Sequence, residues 1–120
     1  MSGEIWCIDL DGCISSTPDA MRALMGGLQA QGCEVHVLSG SPGIATQEEL
    51  ADKKALLDSL GVGDCFDKLI AVSGPEKVVA AGKVNYLTHV GAKALVDDRK
   101  KNCKAARKAG VLALRHLGPK

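Results

Sequence analysis

The sequence predicts an α/β domain, a parallel sheet of five strands covered by helices on both faces. Two observations carry that expectation. Five short apolar runs alternate with helical patterns along the chain, and strands joined through helices form a parallel sheet buried on both sides. The only aromatic residues are Trp6, Phe66 and Tyr86, so the core must come from Val, Leu, Ile and Ala. The 14 glycines let backbones turn or approach closely.

Ile5 to Ile8 reads as a buried strand, ended by Asp9-Leu10-Asp11-Gly12. Thr17 then offers an N-cap with Pro18 at the first helical position. Met21, Leu24, Met25 and Leu28 follow at i, i+3, i+4 and i+7, the apolar stripe of a helix that Gly32 can close. Val35 to Leu38 forms the second strand, stopped by Ser39-Gly40-Ser41-Pro42-Gly43. Thr46 and Glu49 match a capping box, and Leu50, Leu57 and Leu60 supply the apolar face of a helix ended by Gly61. Lys68 to Val72 is the third strand, with Ser73-Gly74-Pro75 as a turn. Val84, Leu87 and Val90 suggest a helix starting near Gly82 or Lys83. Ala94-Leu95-Val96 is the fourth strand, and a small-residue helix through Ala105, Ala106 and Ala109 leads to the fifth, Val111 to Leu114.

The chain has 120 residues, one domain's worth, with no linker or repeat to divide 1–120. Fifteen basic residues against 14 acidic ones leave a net charge of +1, which argues against a strongly basic surface unless a local patch hides in the average. So few aromatics make a base-stacking platform improbable. Five cysteines with no CxxC pair argue against a disulfide framework and against a paired-cysteine zinc site. No apolar run reaches membrane-spanning length, and Met1-Ser2-Gly3-Glu4 does not resemble a signal peptide. The expected location is the cytoplasm, with no membrane partner.

Acidic residues gather at strand ends: Asp9 and Asp11 after the first strand, Asp97 and Asp98 after the fourth. Ser39 follows the second strand, and Lys83 precedes the fourth by one helix. Open α/β sheets bind ligands beyond the carboxyl ends of their strands. If the first and fourth strands are neighbours, four carboxylates converge, and their repulsion calls for a cation. Oxygen donors with no adjacent His or Cys suit Mg²⁺, which binds one or two carboxylates and a substrate phosphate. A lone aspartate there would be an ordinary turn or cap residue; two acidic pairs with a Ser and a Lys in order make that reading poor. Lys83 gains from a site of carboxylates and phosphate that would offset the cost of a cation at a helix N-terminus, with Lys77 as the competitor.

Ile8-Asp9-Leu10-Asp11-Gly12, Val37-Leu38-Ser39-Gly40, Lys83 and Val96-Asp97-Asp98 together resemble the four motifs of the haloacid dehalogenase (HAD) superfamily, from about residue 4 to residue 115. The resemblance implies a three-layer Rossmann-like fold with sheet order 3-2-1-4-5 and a Mg²⁺-dependent phosphohydrolase. Asp9 would be the nucleophile that forms an aspartyl-phosphate, and Asp11 the general acid and then base. Ser39 would donate to a phosphoryl oxygen and Lys83 would balance charge. Leu10, Asp11, Ser39, Gly40 and Lys83 would surround the phosphate. Asp9, Asp11, Asp97 and Asp98 would hold the metal, with Asp98 favoured over Asp97 as the direct ligand.

Cys13 departs from the Thr or Val usual after Asp-x-Asp-Gly, and its thiol could make activity sensitive to oxidation. Cys7 reads as a core residue, and His36, His89 and His116 as ordinary strand, helix and tail residues. Between the motifs there is no room for a sizeable cap, so the site should be open or covered by a second copy of the chain. The expected partner is a phosphorylated small molecule or macromolecular end. Lys83 to Leu114 also looks like phage polynucleotide kinase 3′-phosphatase domains, which makes a polynucleotide end the alternative substrate. Those domains commonly carry Arg where this chain has Ser41, which counts against it. A phosphoryl-accepting receiver module fits less well, since its acceptor Asp follows a third strand and here Ala71-Val72-Ser73-Gly74 stands there. A non-catalytic interaction domain is a further alternative, set against an intact acid set.

Overall fold

The structure, a computed structural model, describes residues 3–41 and 46–118. Five parallel strands, β1 (Ile5–Ile8), β2 (Glu34–Ser41), β3 (Lys68–Ser73), β4 (Ala94–Asp97) and β5 (Leu112–Arg115), form one sheet in the order β3-β2-β1-β4-β5. The helices are α1 (Pro18–Ala30), α2 (Gln47–Ser59), α3 (Glu76–Val90) and α4 (Lys100–Lys108). The sheet order is the one expected, and it makes β1 the neighbour of both β2 and β4.

Strand alternation divides the core into two layers. On one face Ile8, Val35, Val37 and Val96 pack with Met21, Met25 and Leu28 of α1 and Leu57 of α2. On the other, Cys7, Leu38 and Leu95 pack with Leu87 of α3 and Cys103 and Ala106 of α4. Cys7 is thus a core residue, as expected. Leu24 departs from its expected stripe and is 36% exposed, at the edge of the face that α1 buries.

Several boundaries differ from the sequence reading, and three of the differences move a site residue. First, β2 does not stop before Ser39 but runs through Ser41, pairing Ser39 with Ala71 and Ser41 with Ser73. The ladder to β3 satisfies those backbone groups, so turn-forming residues stay extended. Of the expected stop, residues 42 and 43 lie outside the described residues. Second, β4 extends to include Asp97. Third, α3 starts at Glu76, so Lys83 lies in the middle of the helix rather than at its N-terminus. The cost of a cation at a helix start therefore plays no part at Lys83. Gly82 is a contact point, not a helix start: a Cβ there would lie 2.5 Å from Val72 Cγ1, so the missing side chain lets α3 sit close on β3.

The expected caps are half realised. Thr17 precedes α1 with Pro18 at its start, but its hydroxyl makes no cap bond and lies 2.7 Å from His116 Nε2. Thr46 Oγ1 accepts from the Glu49 backbone N–H at 3.1 Å. The Glu49 carboxylate does not return to Thr46; it accepts from Ser41 Oγ at 2.5 Å.

Candidate active site

Pairing of β1 with β4 sets Ile8 beside Val96, and the Asp9 N–H continues the ladder to the Val96 carbonyl at 2.9 Å. Asp9 and Asp97 thereby leave adjacent strands at the same level. From the opposite layer, Lys83 Nζ donates to Asp9 Oδ1 at 2.9 Å and to Asp97 Oδ2 at 2.8 Å. All three residues are buried. Asp97 is held further by Asn102 Nδ2 at 3.0 Å and by the Arg99 N–H at 2.9 Å, so both of its oxygens are engaged.

After Asp9 the chain makes a wide turn, Leu10–Ile14, closed by the Ser15 N–H on the Leu10 carbonyl at 3.0 Å. Gly12 sits at its bend with φ +78°, a conformation that costs an L side chain energy. A Cβ on Gly12 would also collide with the Asp98 carboxylate. Glycine thus serves twice, bending the backbone and leaving space for Asp98. The Leu10 side chain is fully buried in the core, so any ligand contact it makes is through its main chain. Asp11 is exposed and faces a cavity.

Asp98 Oδ1 is buried with no hydrogen-bond partner among the described residues. Ligand atoms of Asp9, Cys13 and Asp98 lie within 4.8 Å of one another, so a cysteine does adjoin the oxygen donors, contrary to the sequence reading, because the turn after β1 folds Cys13 back against Asp9. Burial pushes the Asp9 carboxyl up to about 8; the Lys83 charge opposes this, and the charge of Asp97 and a hydrogen bond with Asp98 reinforce it. Burial also lowers the affinity of Lys83 for its proton, but Asp9 and Asp97 outweigh that and raise its pKa. The cluster therefore holds more carboxylate than Lys83 neutralises, and Asp98 beside it keeps one buried oxygen with no hydrogen-bond partner among the described residues. Such a donor set fits a divalent cation that takes oxygen ligands. Burial pushes the Cys13 thiol well above its ordinary range, with Asp9, Asp97 and Asp98 adding to the effect. Cys13 is fully buried, so in the folded state its sulfur is shielded from solvent.

A cavity of about 320 Å³ opens over this cluster, lined by Asp9, Asp11, Gly40, Ser41, Lys83 and Arg99, among others. One wall is a stripe of α3 in which Pro75, Val79 and Lys83 recur at four-residue intervals. Asp97, Asp98 and Ser39 lie behind the lining. Ser39 is fully buried, and its hydroxyl accepts from Lys53 Nζ at 2.9 Å. Lys77 is exposed in the first turn of α3 and takes no part in the ion cluster.

The structure thus brings together Asp9, Lys83, Asp97 and Asp98, with Asp11 and Gly40 on the cavity. Sequence reasoning missed Asn102 and Lys53, though each carries a signal. Asn102 is a polar residue in the buried stripe of α4 beside Cys103 and Ala106. Lys53 interrupts the apolar face of α2 between Leu50 and Leu57.

No family model and no curated protein matches the chain. Similar folds occur among solved structures. A chain described as "Structure of Pnkp1/Rnl/Hen1 complex" is 17% identical with a TM-score of 0.71, covering 95% of this chain, which spans 46% of that one. The universal stress protein from Archaeoglobus fulgidus is 18% identical with a TM-score of 0.61, covering 93% of this chain and 92% of that one. A protein of the universal stress protein family from Burkholderia pseudomallei is 17% identical with a TM-score of 0.56, covering 95% and 96%. At these identities the likeness is one of fold.

Proposed function

We propose that the chain is a metal-dependent phosphomonoesterase in which Asp9 is the nucleophile. The observation that carries this reading is the buried Asp9–Lys83–Asp97 cluster beside the unpartnered Asp98 oxygen, under a cavity that Asp11 also lines. Lys83 fixes one oxygen of Asp9 and leaves the other to attack phosphorus. The Asp9–phosphorus bond forms as the bond to the leaving alcohol breaks, and Asp11 supplies the proton that the departing oxygen needs. Asp11 then removes a proton from water, which attacks phosphorus and frees Asp9. Asp97, with both oxygens engaged, positions Lys83.

Asp9 and Asp98, with Asp11 at the cavity, would hold Mg²⁺, which when bound supplies positive charge to the phosphoryl oxygens. The test is a phosphatase panel of sugar phosphates, nucleotides, phosphorylated oligonucleotides and a chromogenic ester, with Mg²⁺ or a chelator. Turnover should need the metal and vanish in Asp9→Asn; activity that survives either change overturns the mechanism.

A second reading concerns substrate. Arg99, Lys100, Lys101, Lys104, Arg107 and Lys108 are all exposed in and just before α4, beginning at the cavity rim. This local patch favours a polynucleotide end carrying the phosphate. The likeness of fold to a chain of the Pnkp1/Rnl/Hen1 complex agrees with it.

A further inference from the structure

We propose that Lys53, on α2, is a positioning residue that holds the Ser39 hydroxyl ready to donate to a phosphoryl oxygen and brings a second positive charge to the site. The inference rests on the reading of the cavity as a phosphoryl site. It starts from charge. Lys83 is already bound to two carboxylates, and Asp98 adds a third. One divalent cation would bring Asp9, Asp97, Asp98 and Lys83 to neutrality, so the counter-charge for a phosphate dianion must come from further cations, of which Arg99 lies on the lining and Lys53 bonds to Ser39.

Lys53 stands beside the lining, against Ser39 and Gly40. Its Nζ donates to Ser39 Oγ at 2.9 Å and lies 3.4 Å from the carbonyl of Gly40, a residue of the cavity lining. Among the described residues Lys53 forms no ion pair, in contrast to Lys83. An ammonium group can only donate. The Ser39 oxygen must therefore accept from it, and the single hydroxyl hydrogen is left to point elsewhere. Its protein acceptor, the Gly40 carbonyl, is 3.4 Å away, a long bond for a hydroxyl. A phosphoryl oxygen would be a better acceptor. Glu49, one turn earlier on α2, accepts from Ser41. The same helix face thus fixes both serines at the end of β2.

The test compares Lys53→Met, Lys53→Arg, Ser39→Ala and the double variant Lys53→Met/Ser39→Ala. Readouts are KM and kcat on a chromogenic phosphomonoester and the affinity for inorganic phosphate in the presence of Mg²⁺. Lys53→Met should raise KM and weaken phosphate binding roughly tenfold, the size expected for a lost charge-assisted contact, with a smaller change in kcat. Lys53→Arg should recover most of the loss. In the Ser39→Ala background Lys53→Met should add less than a further twofold, because the two act as one unit. Losses that multiply independently, or phosphate binding unaltered in Lys53→Met, overturn the proposal. Should the wild type hydrolyse no ester yet bind phosphate more tightly than Lys53→Met, the phosphatase reading fails and the role of Lys53 stands. Failure of the wild type to bind phosphate overturns both.

Discussion

At the scale of the residue, Asp9 shows how burial sets the chemistry. Its carboxyl is raised to about 8, chiefly because burial disfavours the charged form. The folded protein without metal therefore holds a proton that the unfolded chain releases near the ordinary carboxyl value of 3.8. Between those values the native state binds more protons than the unfolded state, so stability falls as pH rises. Urea unfolding of the metal-free protein should accordingly show decreasing stability from about pH 4 to about pH 8. Asp9→Asn should flatten that slope while abolishing turnover; a slope unchanged by the substitution would show that another group carries it. The identity of the ion cluster was legible because acids at strand ends are conspicuous in sequence. Its partners were legible only in part. Lys83 was singled out through a supposed helix start, whereas it is reached from the middle of α3. The link from Lys53 to Ser39 depends on how α2 lies across β2, which no local pattern states.

At the scale of the element, the wide turn after β1 couples backbone shape to ligand geometry. Gly12 has a positive φ, and the Asp98 carboxylate fills the space where a Cβ would be. Gly12→Ala should destabilise the fold by about 1 kcal/mol from the backbone term alone. The displaced Asp98 should also weaken Mg²⁺ binding, read by titration of the metal against the folded variant. A Mg²⁺ affinity equal to wild type would show that Asp98 is not a ligand. The existence of every strand and helix could be read from alternating apolar runs, but their ends could not. Ser39, Gly40 and Ser41 look like a turn, and only the ladder to β3 keeps them extended. Gly82 looks like a boundary, and only the close approach of Val72 shows why a glycine belongs inside a helix.

At the scale of the whole molecule, the sheet order makes the site. With β1 between β2 and β4, side chains from distant stretches of chain meet over one strand end. Net charge is the quantity that sequence averages conceal. The balance of +1 hides six basic residues between Arg99 and Lys108. If that row meets a polynucleotide, the ratio of oligonucleotide to chromogenic-ester kcat/KM should fall steeply with added salt. Lys101, Lys104 and Lys108 lie opposite the buried side of α4. Converting all three to Gln should lower that ratio and flatten its dependence on log salt by about 2, for three lost single-strand contacts. A ratio indifferent to salt and to the lysines would exclude the polynucleotide end.

The stripe of Pro75, Val79 and Lys83 has a consequence for shape. Pro75 stands where α3 begins and Lys83 reaches the carboxylates, so eight residues of helix, about 12 Å of rise, line the way in. That wall is apolar at Pro75 and Val79 and carries its charge only at Lys83, the residue that reaches the carboxylates. One helix thus borders the cavity with a neutral surface and places its cation at the end where Asp9 lies.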